Sequence, residues 1–169
     1  MKHTISILLE NRFGAFDRVA NLFSGKGFNL HSITIGETEI KDVMRMTIVT
    51  SGNDQIIDQV LKQLNRLIDT LKVIDLSEHE RTERELALIS VSYQKGTLEE
   101  LKNISDIFRG KIVDINNKSI MIELTGPPAK INAAVNVLMP YGIKEMARTG
   151  TVALKRGEQL NTLKEAVEE

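Results

Sequence analysis

The chain has 169 residues, 41% hydrophobic and 27% charged, which is room for one ordinary domain or two small ones with a packed core. Its 22 Lys+Arg against 23 Asp+Glu leave a formal net charge of -1, which gives no bulk attraction to nucleic acid or to an anionic membrane. The absence of cysteine excludes disulfides, cysteine nucleophiles and thiolate metal sites; with a strand pattern starting at about His3 and no apolar run near ~20 residues, neither a signal peptide nor a spanning helix is expected, and a cytoplasmic protein is.

Ile5, Ile7 and Leu9 alternate with Thr4, Ser6 and Leu8, which predicts a strand buried mainly on one face. A polar turn with Asn11 and Gly14 follows. Phe16, Val19, Ala20 and Phe23 then recur at helical spacing, and Gly25 and Gly27 are expected to stop that helix. Phe28 and Leu30 share one parity and Ile33 and Ile35 the other, so the next strand should carry a bulge near His31-Ser32. The polar segment Glu37 to Asp42 reads as a hairpin leading into a third strand, Met44 to Val49. Asp54 is the expected cap of a helix with Ile57, Val60, Leu61, Leu64, Leu67 and Ile68 as its apolar stripe, and Leu71, Val73 and Ile74 suggest a closing strand.

Ser77 to Glu85 contains no apolar residue and reads as a solvated linker. The pattern then restarts. Leu86 to Tyr93 is a strand, and Thr97-Leu98-Glu99-Glu100 has the form of a capping box opening a helix with Leu101, Ile104 and Phe108 inward. Ile112 to Ile115 is a strand, Asn116-Asn117 a turn, and Ile120, Ile122 and Leu124 alternate in the next strand. Pro127-Pro128 opens a helix with Ile131, Ala134, Val135 and Leu138, and Ile143 to Ala147 closes the set. The chain therefore reads as α+β, two ferredoxin-like β-α-β-β-α-β domains at 1–77 and 86–157, a linker at 78–85 and a polar tail at 158–169. In the usual 4-1-3-2 strand order the second strand is an edge, able to pair with its copy in a second chain.

The segment Leu9 to Val19 followed by Gly25 to Leu30 is the candidate functional region. Backbone amides at the start of a helix suit a small carboxylate, and the side chains of Asn11 and Asn29 can both donate and accept. That combination points to binding a small effector such as an amino acid rather than to catalysis. Asn11 and Gly14 are also ordinary turn formers. Gly25-Lys26-Gly27 lies between a helix and a strand, the reverse of the order a phosphate loop needs. His3, His31 and His79 stand apart without ligand spacing, Met44 and Met46 lie at core-packing period, and no nucleophile elbow or carboxylate pair occurs, so neither a metal site nor an enzyme is expected.

Several motifs carry a resemblance over nearly the whole chain: Leu8-Leu9-Glu10-Asn11 with Gly14-Ala15 and Arg18-Val19, Leu22-Phe23-Ser24 with Gly27 and Asn29, and Arg45-Met46-Thr47-Ile48. Ile107 to Asp114, Leu124-Thr125-Gly126 and Ala147-Arg148-Thr149-Gly150 extend it. On these the chain resembles the small, regulatory subunits of acetolactate synthase, with an N-terminal ACT domain. The resemblance implies a non-catalytic subunit that activates a large catalytic subunit carrying thiamine diphosphate, FAD and Mg2+, binds no cofactor itself, and confers feedback inhibition by valine, sometimes leucine or isoleucine. It implies an effector site built from Asn11, Gly14, Ala15 and Phe16 of one chain with Asn29 and Leu30 of the other chain of a homodimer. Phe13 stands where many members have a small residue, Phe16 where leucine is common and Asp17 where a small residue is frequent. Two alternatives share the element order: a stand-alone amino-acid sensor of another enzyme, and an RNA-recognition module. The latter needs exposed aromatics on its central strands and a basic surface, against 4% aromatics and a balanced charge here.

Overall fold

A computed structural model describes residues 1–94 and 96–157. The chain divides into two units, Met1–Thr82 together with the stretch beginning at Thr151, and Glu83–Gly150. The first unit holds β1 (Lys2–Glu10), α1 (Ala15–Lys26), β2 (Asn29–Glu37), β3 (Val43–Ser51), α2 (Asp54–Leu64) and β4 (Thr70–Asp75). The second runs through β5 (Arg81–Ser92), α3 (Leu98–Ile107), β6 (Lys111–Ile115), β7 (Ser119–Gly126), α4 (Pro128–Leu138) and β8 (Ile143–Arg148); β9 (Val152–Lys155) follows. Both sheets are antiparallel, ordered β2-β3-β1-β4 and β6-β7-β5-β8, with β9 pairing β5 off the second path. Each unit is thus a ferredoxin-like β-α-β-β-α-β arrangement, and β2 is an edge strand, as the pattern predicts.

In the first unit Ile5, Ile7 and Leu9 of β1 meet Met46 and Ile48 of β3, and Val19 and Phe23 of α1 with Val60 and Leu64 of α2 close over them. The alternation in β1 predicts burial mainly on the face of Ile5, Ile7 and Leu9. Thr4, Ser6 and Leu8 are in fact buried too: β9 and the 3-10 turn Leu76–Glu78 lie against β1, and Leu8 packs with Val43, Ile40 and Leu71. The inward face of α1 carries Val19 and Phe23 as expected, with Ala20 half-buried, but Ala15 and not Phe16 is its first buried residue, and Phe16 is exposed. Gly25 is inside that helix, and Gly27 alone ends it, with φ 65° and its amide donating back to the last turn. The predicted bulge is present between Leu30 and Ser32. Asn53 caps α2, its side chain accepting from the Ile56 amide at 2.9 Å, so Asp54 is the first helical residue instead of the cap. α2 ends at Leu64, which leaves Ile68 exposed rather than on the apolar stripe.

The expected linker is the largest departure. Its residues form that 3-10 turn and the opening of β5. Polarity here reflects bonding within the protein: the Arg81 guanidinium donates to the carbonyls of Leu76 at 3.1 Å and Ser77 at 3.4 Å, and the buried Glu85 carboxylate accepts from Arg148 Nε at 2.6 Å. The Arg156 amide donates to the Glu80 carbonyl at 2.8 Å, so residues 151–157 join the first unit and not the second. The tail at 158–169 lies outside the described residues.

In the second unit Ala87, Ile89 and Val91 pack with Ile120, Ile122, Leu124, Leu101, Ile131, Ala134 and Leu138. Thr97 precedes α3 but its hydroxyl bonds Gln94, and Glu100 accepts from Tyr141, so the capping box does not form. Asn116 makes the β6–β7 turn, accepting from the amides of Lys118 and Ser119, each at 3.0 Å. The turn after α3 differs from its counterpart after α1: Arg109 takes the left-handed conformation, φ 49°, whereas Gly110 is required by close approach. A Cβ on Gly110 would stand 2.5 Å from Leu124 Cδ2 and 3.1 Å from the Glu123 carbonyl oxygen. Gly110→Ala should therefore destabilise the protein by about 1–3 kcal/mol, the usual cost of overpacking a filled core. Chemical denaturation checks it, and the first unit's Gly25→Ala, in open space within a helix, should cost nothing or add a few tenths.

Candidate functional site

The loop between β1 and α1 is shaped by one reverse turn. The Ala15 amide donates to the Arg12 carbonyl at 3.1 Å, and Gly14 at the third position has φ 82° and ψ -3°, the values of a type II turn. Such a turn demands positive φ there, which glycine supplies without a Cβ penalty. Phe13 occupies the outer corner and is fully exposed, at 102%. No side chain caps α1. Among the described residues, the amides of Phe16 and Asp17 have no protein acceptor, so the helix presents unpartnered donors with the positive end of its dipole, a fitting seat for a carboxylate.

Two neighbouring segments hold this loop. The Asn11 amide donates to the carbonyl of Asp42, in the β2–β3 hairpin, at 2.8 Å. The Glu10 amide donates to the Asp69 carbonyl at 2.9 Å, and the buried Asp69 carboxylate pairs with Arg18 of α1. Neither Asp42 nor Asp69 stood out in the sequence, since both contacts join segments far apart in the chain and leave no periodic trace. The same holds for His3, whose Nδ1 lies 2.8 Å from the Asp75 carboxylate across the sheet, an acidic partner that helical spacing could not reveal. His31 meets Ser51 Oγ at 3.0 Å on the edge strand.

Of the six expected site residues, Asn11, Gly14 and Phe16 lie on this loop and the first turn of α1, with Phe16 44% exposed. Ala15 is buried in the core, and its amide is taken by the turn. Asn29 and Leu30 are exposed at the start of β2, but at the far end of the sheet: Asn29 is opposite Ser51, and Ser51 opposite Lys2. At ~3.4 Å per residue along β1, that puts Asn29 and Asn11 of one chain roughly 30 Å apart. Arg45, in β3, donates from Nη1 to Ser6 Oγ at 2.9 Å, and its burial lowers its pKa from the ordinary arginine value, with Glu39 opposing. The sheet face on which an RNA-recognition module would stack bases is buried at Ser6, Leu8 and Thr47 and bears no aromatic on β1 or β3.

The edge-stranded ferredoxin-like unit with its uncapped, glycine-turned helix start is an ACT domain: residues 5–72 match the model of the AHAS small subunit-like ACT domain. Residues 84–157 match that of the small subunit of acetolactate synthase. A probable acetolactate synthase small subunit from Archaeoglobus fulgidus is 48% identical over 94% of this chain and 99% of its own length. The acetolactate synthase small subunit of Aquifex aeolicus is 49% identical over 92% of this chain and 81% of its own. The crystal structure of the small subunit from Thermotoga maritima superposes with a TM-score of 0.85 at 40% identity, covering 94% of this chain and 99% of that one. The chain belongs to the acetolactate synthase small subunit family.

The pairing of Asp69 with Arg18 fastens α1 to the loop before β4. Asp69→Ala should cost about 1 kcal/mol, because Arg18 is half exposed and keeps its hydration. Native-state hydrogen exchange at the bonded amides of Glu10, Ala15 and Arg18 should accelerate, with exchange in β7 unchanged.

Proposed function

We propose that this chain is the regulatory subunit that activates a thiamine-diphosphate-dependent acetolactate synthase, with FAD and Mg2+ also in the catalytic partner, and that it carries the site where valine, or leucine or isoleucine, inhibits it in the cytoplasm. Family membership supports the pairing with a large catalytic subunit. Among the described residues no helix is long and apolar enough to cross a membrane.

The observation that carries the effector site is the sheet register. Asn29 and Asn11 sit at opposite ends of the sheet within one chain. Antiparallel pairing of β2 with β2 of a second copy reverses this, setting Asn29 of one chain at the end of the sheet that bears Asn11 of the other. The Asn11–Asp42 bond keeps the loop beside the β2–β3 hairpin, on the side where the second copy adds. Exposed β2 groups gain partners in the same step. The effector carboxylate then meets the amides of Phe16 and Asp17, and the two asparagines address its polar groups. Binding there favours a less active arrangement of the complex, and a coupling of about 1–3 kcal/mol suffices for useful inhibition.

Reconstitution is the direct test: the chain alone should make no acetolactate from pyruvate, and adding it should raise the activity of its catalytic subunit and make that activity valine-sensitive. Gly14→Asp should remove valine inhibition and keep activation. Nothing lies within 4 Å of the new Cβ, so the substitution meets no neighbour and carries only the backbone strain of a side chain at positive φ, which aspartate bears better than most residues, while its carboxylate repels the effector's own at a cost of several kcal/mol. Ordinary valine sensitivity in this variant would displace the site from the loop.

The two-chain site makes a separate demand. Homodimers of Asn11→Ala and of Asn29→Ala should each fail to bind valine. In a mixed dimer one site collects both lesions and the other joins two intact asparagines, so subunit exchange should restore up to one site per heterodimer by calorimetry. No recovery after verified exchange would mean that each site lies within a single chain.

A further inference from the structure

The five phenylalanines divide sharply by position. Phe23 is 2% exposed and packs edge-on against Phe28, with centroids 5.9 Å apart, and Phe108 packs against the second core. Phe13 and Phe16 instead are exposed at 102% and 44%, on either side of Gly14. An isolated exposed apolar side chain is ordinary. Here, however, two aromatic rings flank the same turn, and they stand next to the unpartnered amides of Phe16 and Asp17.

The groups there that can bond the ligand are the amides, Asn11 and, from a second chain, Asn29. Those groups can recognise the ammonium and carboxylate common to all amino acids, but they do not separate one side chain from another. Discrimination by side chain requires apolar surface that the ligand covers. The type II turn sets Phe13 at its outer corner, beyond the end of α1, where the ring meets nothing in its own chain. We infer that Phe13 is a specificity-determining residue of the effector site, closing over the ligand's side chain and selecting amino acids with a branched apolar group. Phe16 forms the adjoining wall, and Leu30 of a second chain, 42% exposed, the opposite one.

This inference rests on the effector reading given above, and its test separates the two. Calorimetry on the full-length chain compares valine with alanine, which has the same polar groups and less side chain. Phe13→Ala should weaken valine binding at least tenfold and alanine binding less than threefold, so that the preference between them collapses; Phe13→Leu should keep most of it. The chain contains no tryptophan, so Phe13→Trp supplies a sole indole whose emission should shift to the blue when valine is added. If the unaltered chain binds valine but Phe13→Ala keeps the same preference and the indole emission stays constant, the specificity role is overturned while the effector site stands. If the unaltered chain, alone and with its catalytic subunit, binds no valine, both fall together.

Discussion

The register of the first sheet is the constraint on which the rest depends. β1 and β3 pair residue for residue from Lys2 opposite Ser51 to Glu10 opposite Val43, and β2 follows β3 with a single bulge. Slipping β1 by one residue would exchange Ile5, Ile7 and Leu9 for Thr4, Ser6 and Leu8 against the helices, so the buried core locks the pairing. That same locking fixes which loops share an end of the sheet. The β1–α1 turn and the β2–β3 hairpin are thrown together and can be bonded through Asn11 and Asp42, while the start of β2 is carried to the far end. A binding site that uses both Asn11 and Asn29 is therefore a property of two chains under the proposed edge pairing. It is not available within one.

Much of this was legible in the sequence. Alternation over β1 and β3, the parity change at His31-Ser32 and the glycine stop after the first helix identified the element order, the edge strand and the bulge, because each is a local pattern with a single geometric meaning. What escaped was set by contacts between distant residues. Glu85 belongs to a strand because Arg148 neutralises it, and the polar run from Ser77 looks solvated until Arg81 is seen to serve the carbonyls before it. Phe16 seemed to begin the inward face of α1 because helical spacing from Val19 admits either Ala15 or Phe16, and the turn geometry decides for alanine. Asp69 and Asp42, which hold the candidate site in shape, carry no periodic signal at all.

The two units show how one topology reaches the same turn by different means. After α1 the chain reverses through Gly27, whose positive φ needs no more than the absence of a Cβ. After α3 the positive φ falls on Arg109, and glycine follows at the position where the backbone presses against Leu124 and Glu123. Equivalent places in the two units therefore carry distinct requirements, one conformational and one steric. The residues that close the second unit are likewise structural: Arg148 bridges Glu85 and Asn132, and Thr149 exchanges bonds with Leu86.

The return of β9 to the first unit makes the second an insertion within the first. Glu83–Gly150 is a continuous stretch, whereas β9, which lies against β1 and holds the buried Ala153, is made after it. During vectorial synthesis the N-terminal sheet must wait with part of one face bare until the later module has left the ribosome. Assembly order is thus written into the threading of the chain: the inserted module can mature on its own schedule, and the first unit, though its translation begins first, is the last to be completed.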